Sequence, residues 1–217
     1  MPAPASLAQA ARASGVQDER VLAVMTELPR AAFVPPGLAR EAYFDEPVRI
    51  PHRQVTTQPS LVARMVEALE LKGDERVLEV GTGYGYQTAL LARLAGAVSS
   101  IELWPDLSDA ARAALAAQGV ANVHLVVGDG TRGVPERAPF DAIVVSAAFP
   151  RVPDPLVEQL VAGGRLVQPI GRGGNEDVVL FRKGERGLTR VRSLTGARFV
   201  RLYGEHGYAL ADAPAEP

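Results

Sequence analysis

Short apolar runs alternate with segments of helical period through the middle of the chain. Strands are predicted at residues 76–80, 97–102, 123–127, 141–146, 165–169 and 178–182. Helices are predicted at residues 87–94, 107–118 and 154–161. Nearly continuous apolar strands separated by helices are typical of a parallel sheet that helices cover on both faces. The pattern therefore predicts an α/β fold with a doubly wound, mostly parallel sheet.

The regions on either side of this alternation have other patterns. Residues 1–16 are rich in alanine, and residues 16–28 have the spacing of an amphipathic helix that Pro29 ends. Residues 41–51 are predicted to form a loop. Residues 60–71 again have the helical period, with Thr57 as a candidate N-cap and Pro59 in the first turn. After Gly163 and Gly164 the helices stop, and two or three strands are predicted to form an antiparallel edge.

The chain is predicted to contain one main domain with small additions at its ends. Residues 1–59 are interpreted as an N-terminal helical and loop extension that contributes to the functional site. Residues 60–210 form the sheet domain in this interpretation. Residues 211–217, with the sequence ADAPAEP, have the composition of a disordered tail.

Composition narrows the classes of function. The chain has 217 residues and a formal net charge of −2, so no global field favours nucleic acid. The sequence contains no cysteine, which excludes disulfides, thiolate metal sites and cysteine nucleophiles. The three histidines lie in different segments without paired spacing, so no metal site is expected. No apolar run approaches the roughly 18 residues of a membrane span, and the N-terminus has no secretion-signal pattern. We therefore expect a cytoplasmic protein without a membrane partner.

A glycine-rich turn joins the first strand of the alternation to the helix that follows it. Gly81, Gly83 and Gly85 come directly after the strand, and the helix start offers unpaired N–H groups to a ligand. A dinucleotide fingerprint requires glycine or alanine at its sixth position, where this chain has Tyr86 or Thr88. The pattern instead favours S-adenosylmethionine, which has no pyrophosphate. A tight turn without a ligand is the alternative.

Carboxylates stand at the ends of three strands, where ligands bind in a doubly wound sheet. Glu102 is predicted to accept hydrogen bonds from both ribose hydroxyls of the cofactor. Asp129, between Gly128 and Gly130, is predicted to accept from the adenine amino group. A solvated loop acid and an Asp-Gly turn are the alternatives for these two. Glu79 is interpreted either as an acceptor from the cofactor's ammonium group through water or as a structural residue.

Several motifs resemble the protein-L-isoaspartate O-methyltransferase family, from about residue 21 to residue 208. The matching segments are EVGTGYGYQTA at 79–89, RAAFVP at 30–35, AYFD at 42–45, QVTTQP at 54–59, GDG at 128–130, PFDAI at 139–143, QLVAGGRL at 159–166 and RFVRL at 198–202. The run GYQTA and the segment before Pro59 are specific to this family. The glycine loop, Glu102 and Asp129 are shared by methyltransferases in general. The resemblance implies a Rossmann-like methyltransferase fold with a seven-stranded sheet.

The resemblance also implies an activity. The family transfers a methyl group from S-adenosylmethionine to the free α-carboxylate of L-isoaspartyl residues in aged proteins, and the ester then closes to a succinimide, which starts repair. Thr57 falls at the family's active-site hydroxyl. Together with the strand-end carboxylates, the expected cofactor-binding residues are Val55, Thr56, Glu79, Gly81, Thr82, Gly83, Tyr84, Gly85, Gln87, Thr88, Glu102, Leu103, Asp129 and Gly130. The expected substrate-binding residues are Gln58, Pro59, Ser146, Ala147, Val200 and Leu202.

The chain departs from the family pattern near the expected site. Thr57 stands where the family usually has Ser, and Val55 and Thr56 replace a usual Thr and an aliphatic residue. Arg201 stands where Pro is typical. A substrate carboxylate is already ionised at neutral pH, so we interpret Thr57 as a donor that orients it and not as a base. Two alternatives stay open. One is a related carboxylate O-methyltransferase for a specific aspartyl peptide or small acid. The other is a protein that binds S-adenosylmethionine without transferring its methyl group.

Overall fold

The computed structural model describes residues 4–212, which form helices and strands in the predicted alternation. The strands are β1 (Val48–Ile50), β2 (Gln54–Thr56), β3 (Arg76–Val80), β4 (Ala97–Glu102), β5 (Val123–Val127), β6 (Phe140–Val145), β7 (Leu160–Ile170), β8 (Glu176–Gly184) and β9 (Gly187–Ala197). The α-helices are α1 (Pro4–Ala13), α2 (Glu19–Glu27), α3 (Pro59–Glu67), α4 (Tyr86–Leu94), α5 (Pro105–Ala117) and α6 (Asp154–Gln159).

The main sheet has seven strands in the order β5-β4-β3-β6-β7-β8-β9. The pairs from β5 to β7 are parallel, and β8 and β9 add two antiparallel strands at one edge. The doubly wound, mostly parallel sheet and its antiparallel C-terminal edge are therefore confirmed. Because β4 and β6 lie on opposite sides of β3, the strand order reverses at β3, which is where such folds form a ligand crevice.

Alternating residues of β3 divide the core between the two faces of the sheet. Val77 belongs to a buried cluster that includes Met25 of α2 and Leu90 of α4. Leu78 belongs to a second buried cluster on the opposite face, together with Leu156 of α6. The N-terminal helices thus share one core with the sheet. No helix of the described residues has the length and apolar character needed to cross a membrane.

The segment at 41–51, predicted to be a loop, contains strand β1, which is the first strand of a β-hairpin. β1 pairs antiparallel with β2, and Gln54 N donates to Pro51 O at 3.1 Å across the turn. The two residues inside this turn, His52 and Arg53, have φ angles of 58° and 54°. Sequence patterns identify such left-handed turns by glycine or asparagine, and this turn has neither. This absence explains why the hairpin is not evident from the sequence.

The N-cap role predicted for Thr57 is wrong. Helix α3 begins at Pro59 and has no side-chain cap from the residues directly before it. The Asp45 carboxylate accepts from Ser60 N at 2.8 Å and supplies the cap from a distant loop. The position of Pro59 in the first turn is confirmed. The Thr57 hydroxyl is therefore not used to begin the helix.

The remaining differences between prediction and structure concern the residues at which helices and strands begin or end. Helix α6 stops at Gln159 and β7 begins at Leu160, so Gly163 and Gly164 lie inside a strand. A register shift between the β6 pairings to Leu160 and Arg165 accommodates them. In the predicted tail, residues 211 and 212 belong to a short 3₁₀ helix, Leu210–Asp212, and residues 213–217 lie outside the described residues.

Candidate active site

A cavity opens at the carboxyl ends of β3, β4 and β6, where the strand order reverses. The predicted site residues in its wall are Val55, Thr56, Thr57, Gly81, Thr82, Gly83, Tyr84, Gly85, Gln87, Glu102, Leu103, Gly130, Ser146, Ala147, Val200 and Leu202. The predicted residues outside the wall are Gln58, Pro59, Glu79, Thr88 and Asp129. The N-terminal extension, the glycine loop and the C-terminal segment thus meet around one space.

The glycine loop, residues 81–85, forms the floor between β3 and α4. Gly81 and Gly85 have φ angles of 96° and 90°, which side chains other than glycine rarely adopt. A Cβ atom at Gly85 would also lie 3.3 Å from the Ala111 Cβ of α5. The loop can therefore turn into α4 only with glycine at these two positions, and it places the start of this helix against the cavity.

Glu102 joins the glycine loop to the end of β4. Its two carboxylate oxygens accept from Gly83 N at 2.8 Å and from Trp104 N at 3.1 Å. Burial raises the pKa of Glu102, and the backbone donors of the neighbouring loops oppose that shift. Each carboxylate oxygen can accept more than one hydrogen bond. Glu102 therefore keeps capacity for two further donors from the cavity.

Asp129 lies behind the wall and not in it. Its carboxylate accepts from the Thr131 amide at 2.8 Å, the Thr131 hydroxyl at 2.6 Å and the Glu205 amide at 2.7 Å. It thereby caps the short helix Gly130–Arg132 and connects it to the C-terminal segment. The structure does not bring the Asp129 carboxylate to the cavity, and its neighbour Gly130 occupies the wall instead.

Glu79 is likewise one layer behind the cavity, fully buried between β3 and α4. Its carboxylate accepts from Thr88 Oγ1 at 2.5 Å, Ser100 Oγ at 2.6 Å and Gln87 Nε2 at 3.0 Å. Gln87 Nε2 also donates to Ser146 Oγ at 3.0 Å, and both of these residues reach the wall. The geometry agrees with the structural interpretation of Glu79, which fixes the side chains that line the cavity.

The stability of the protein should depend on pH through Glu79. Burial raises the pKa of Glu79 from 4.5 to about 7, so the folded state holds this proton more tightly than the unfolded state does. The contribution of the protonated group is complete below pH 4.5 and is lost as pH rises to about 7. Above that pH the ionised group costs on the order of 3 kcal/mol. Glu79→Gln should reduce this loss of stability in chemical denaturation across the same pH range. An unchanged pH slope would contradict the assignment, and exposed Glu136→Gln is the control.

Arg30 holds the segment at 54–59, a role that no sequence pattern predicts. Its buried guanidinium donates to three loop carbonyl oxygens, to Thr56 Oγ1 at 2.9 Å and to Thr57 O at 3.3 Å. Burial lowers the pKa of Arg30 to about 10, so it stays charged at neutral pH. Thr56 Oγ1 also accepts from Val48 N at 3.2 Å. The Thr56 hydroxyl is thus committed to the fold.

The Thr57 hydroxyl, unlike the Thr56 hydroxyl, is not held by hydrogen bonds of the described fold. Thr57 lines the cavity, and its hydroxyl forms no hydrogen bond with any residue that the structure describes. Gln58 turns away and donates to Asp45 Oδ2 at 2.9 Å, while Pro59 is buried in α3. Thr57 is therefore the residue of this segment that presents a free donor to a ligand.

The C-terminal segment, residues 199–203, contributes Val200 to Tyr203 to the cavity wall and pairs with the chain just after β6. Ala148 N donates to Val200 O at 2.7 Å, and Leu202 N donates to Ala148 O at 2.9 Å. This pairing fixes Val200 and Leu202 next to Ser146 and Ala147 in the wall. Four of the six residues predicted to bind substrate are consequently neighbours.

Another contact joins the β1–β2 hairpin to the wall beyond β4. The His52 ring stacks on Trp104 with centroids 4.1 Å apart, and His52 Nε2 lies 2.8 Å from Asp106 Oδ1. Ile50 of the hairpin lines the cavity as well, and the sequence carries no signal for it because the hairpin itself is not evident there. Within residues 4–212, no group of three potential metal ligands comes together.

Known proteins match this chain over most of its length. The family model of Protein-L-isoaspartate(D-aspartate) O-methyltransferase (PCMT) matches residues 4–207. A protein-L-isoaspartate O-methyltransferase of Methanoculleus marisnigri is 51% identical over 197 residues, which cover 91% of this chain and 89% of the relative. One of Anaeromyxobacter dehalogenans is 54% identical over 190 residues, covering 87% and 91% of the two chains.

Solved structures have the same fold. A protein-L-isoaspartate O-methyltransferase superimposes with a TM-score of 0.81 at 30% identity, covering 93% of this chain, which spans 66% of the length of that neighbour. A Plasmodium falciparum protein in complex with S-adenosyl-L-homocysteine superimposes with a TM-score of 0.78 at 22% identity. The match covers 94% of this chain and 99% of the neighbour. With the family model matched over nearly the whole chain, the resemblance noted in the sequence is confirmed. The chain belongs to the protein-L-isoaspartate(D-aspartate) O-methyltransferase family.

Proposed function

We propose that this chain transfers a methyl group from S-adenosylmethionine to the free α-carboxylate of L-isoaspartyl residues in damaged proteins. The observation that carries the proposal is a single cavity with two different walls. One wall has a glycine loop and a buried carboxylate, Glu102, and the other presents the free hydroxyl of Thr57. The first suits a nucleoside cofactor and the second suits an anionic acceptor.

The residues around the glycine loop fit the cofactor. Glu102 retains acceptor capacity for two ribose hydroxyls, and the glycines, which have no Cβ atom, allow a ligand to approach the backbone closely. Gly130, Leu103 and Tyr84 complete that part of the wall. When bound, S-adenosylmethionine supplies an activated methyl group on a sulfonium. Glu79, Thr88 and Asp129 support these residues from behind in this proposal.

The acceptor side has to position a carboxylate and remove its water. A carboxylate with a pKa near 4 is ionised at neutral pH and needs no general base. It loses hydration on entry and needs a replacement donor, which we assign to the Thr57 hydroxyl. A strong cation at the reacting oxygen would stabilise the ground state and slow attack. Ser146, Ala147, Val200 and Leu202 would contact the substrate peptide, and Gln58 and Pro59 would shape the segment that carries Thr57.

Replacement of Glu102 should weaken cofactor binding. In Glu102→Gln the side chain keeps its size but loses its charge and one acceptor oxygen. We expect the Kd for S-adenosylhomocysteine, measured by calorimetry, to rise about tenfold to 10²-fold, because hydrogen bonds to charged groups contribute more than neutral ones. Asp109→Asn, the same charge change at an exposed position of α5, is the control and should keep the wild-type Kd. An unchanged Kd in Glu102→Gln would refute the assignment of Glu102 as the acceptor for the ribose hydroxyls.

The activity is tested with two versions of one peptide, with isoaspartate or aspartate at a single position. We expect methyl incorporation into the isoaspartyl peptide and little into the aspartyl peptide. Equal labelling of both, or labelling of neither, would refute the proposal. A location in the cytoplasm, and the absence of nucleic-acid and membrane partners, stay predictions from the sequence.

A further inference from the structure

Arg201 is a cation in the cavity wall that the fold does not use as an ion-pair partner. It lies between Val200 and Leu202 and lines the cavity together with them. Among the described residues, no carboxylate lies within ion-pair distance of its guanidinium, and the residue is exposed. An exposed guanidinium beside a substrate cavity is available for an anionic group of the substrate.

The position of Arg201 is fixed although its charge is unpaired. The backbone on both sides is bonded to Ala148, through Val200 O and Leu202 N. The guanidinium lies 4.9 Å from the centre of the Tyr208 ring, and Tyr208 N donates to Leu202 O at 2.8 Å. Stacking on an aromatic face restrains a planar guanidinium and leaves its edge free for a carboxylate. The side chain is therefore held in place for binding and is not a loosely placed surface arginine.

The anion that Arg201 binds should not be the carboxylate that reacts. A guanidinium on the reacting oxygen would lower its nucleophilicity in the ground state. A second carboxylate, on a residue next to the isoaspartate, avoids this cost and still adds binding energy. We propose that Arg201 is a specificity residue that binds the side-chain carboxylate of an acidic residue adjacent to the isoaspartate. This inference rests on the proposed function of the same cavity.

The test compares isoaspartyl peptides with Glu or Gln at each position next to the isoaspartate. For wild-type protein we expect kcat/KM to be about twofold to fivefold higher for Glu at one of these positions, as for a solvated ion pair. The difference should lie in KM and shrink as salt is added. Arg201→Gln should abolish the preference, and Arg201→Lys should restore part of it. Arg192→Gln, which removes an exposed charge on β9 outside the cavity, should keep the preference.

Two results would overturn the inference alone. One is equal kcat/KM for all Glu and Gln peptides with wild-type protein that does methylate them. The other is a preference that persists in Arg201→Gln. If wild-type protein methylates no isoaspartyl peptide at all, the proposed function fails and this inference fails with it.

Discussion

Thr57→Val should lower kcat by about 10²-fold to 10³-fold and leave the Kd of the cofactor near its wild-type value. Valine keeps the size and the β-branch of threonine, so the substitution removes only the hydroxyl. That hydroxyl has no partner among the described residues, whereas the neighbouring Thr56 hydroxyl is bonded to Arg30 and Val48. Loss of the Thr57 hydroxyl should therefore affect the substrate carboxylate in the transition state and leave the fold intact. Steady-state methylation and calorimetry measure the two quantities.

Two further variants test whether the loss of kcat in Thr57→Val comes from the missing hydroxyl. Thr57→Ser keeps the hydroxyl and should stay active. Thr189→Val makes the same exchange at an exposed position of β9 and should keep the wild-type kcat. An inactive Thr57→Ser, or an equal loss of turnover and cofactor affinity in Thr57→Val, would contradict the role of the hydroxyl.

Arg30→Met should destabilise the protein by on the order of 3–5 kcal/mol. The substitution keeps much of the aliphatic volume but removes the guanidinium donors of five buried or half-buried acceptors in the segments at 42–46 and 56–57. Acceptors that lose their partner in the interior lose solvation without compensation. The free energy of unfolding from chemical denaturation measures the effect. Exposed Arg53→Met is the matched control, and a loss below about 1 kcal/mol in Arg30→Met would show that water replaces the guanidinium.

The sheet could be predicted because its strands carry their own boundaries. β3, β4 and β5 have the predicted ends, since β3 and β5 are each followed by a glycine and β4 ends on the charged Glu102. The β1–β2 hairpin could not be predicted, because its turn relies on left-handed His52 and Arg53. The start of α3 depends on Asp45, fifteen residues before Ser60, and a local pattern cannot show such a cap.

The site could be predicted only in part, because the sequence does not show which donors of the fold bind a carboxylate near the end of a strand. Glu102 follows from its place at the end of β4 and reaches the cavity wall. Glu79 belongs to the same glycine motif but faces α4, where it is fully buried. Asp129 is drawn back by the Thr131 and Glu205 amides. The burial of Arg30 has no signal in the sequence, because arginine is rarely fully buried.

The most direct test of the account is a crystal structure of wild-type protein with S-adenosylhomocysteine and an isoaspartyl peptide. We expect the Thr57 hydroxyl within about 2.6–3.2 Å of the free α-carboxylate of the isoaspartyl residue. The ribose hydroxyls should lie at hydrogen-bond distance from Glu102 in the same complex. A peptide carboxylate bound away from Thr57, with that hydroxyl in contact with water alone, would contradict the account.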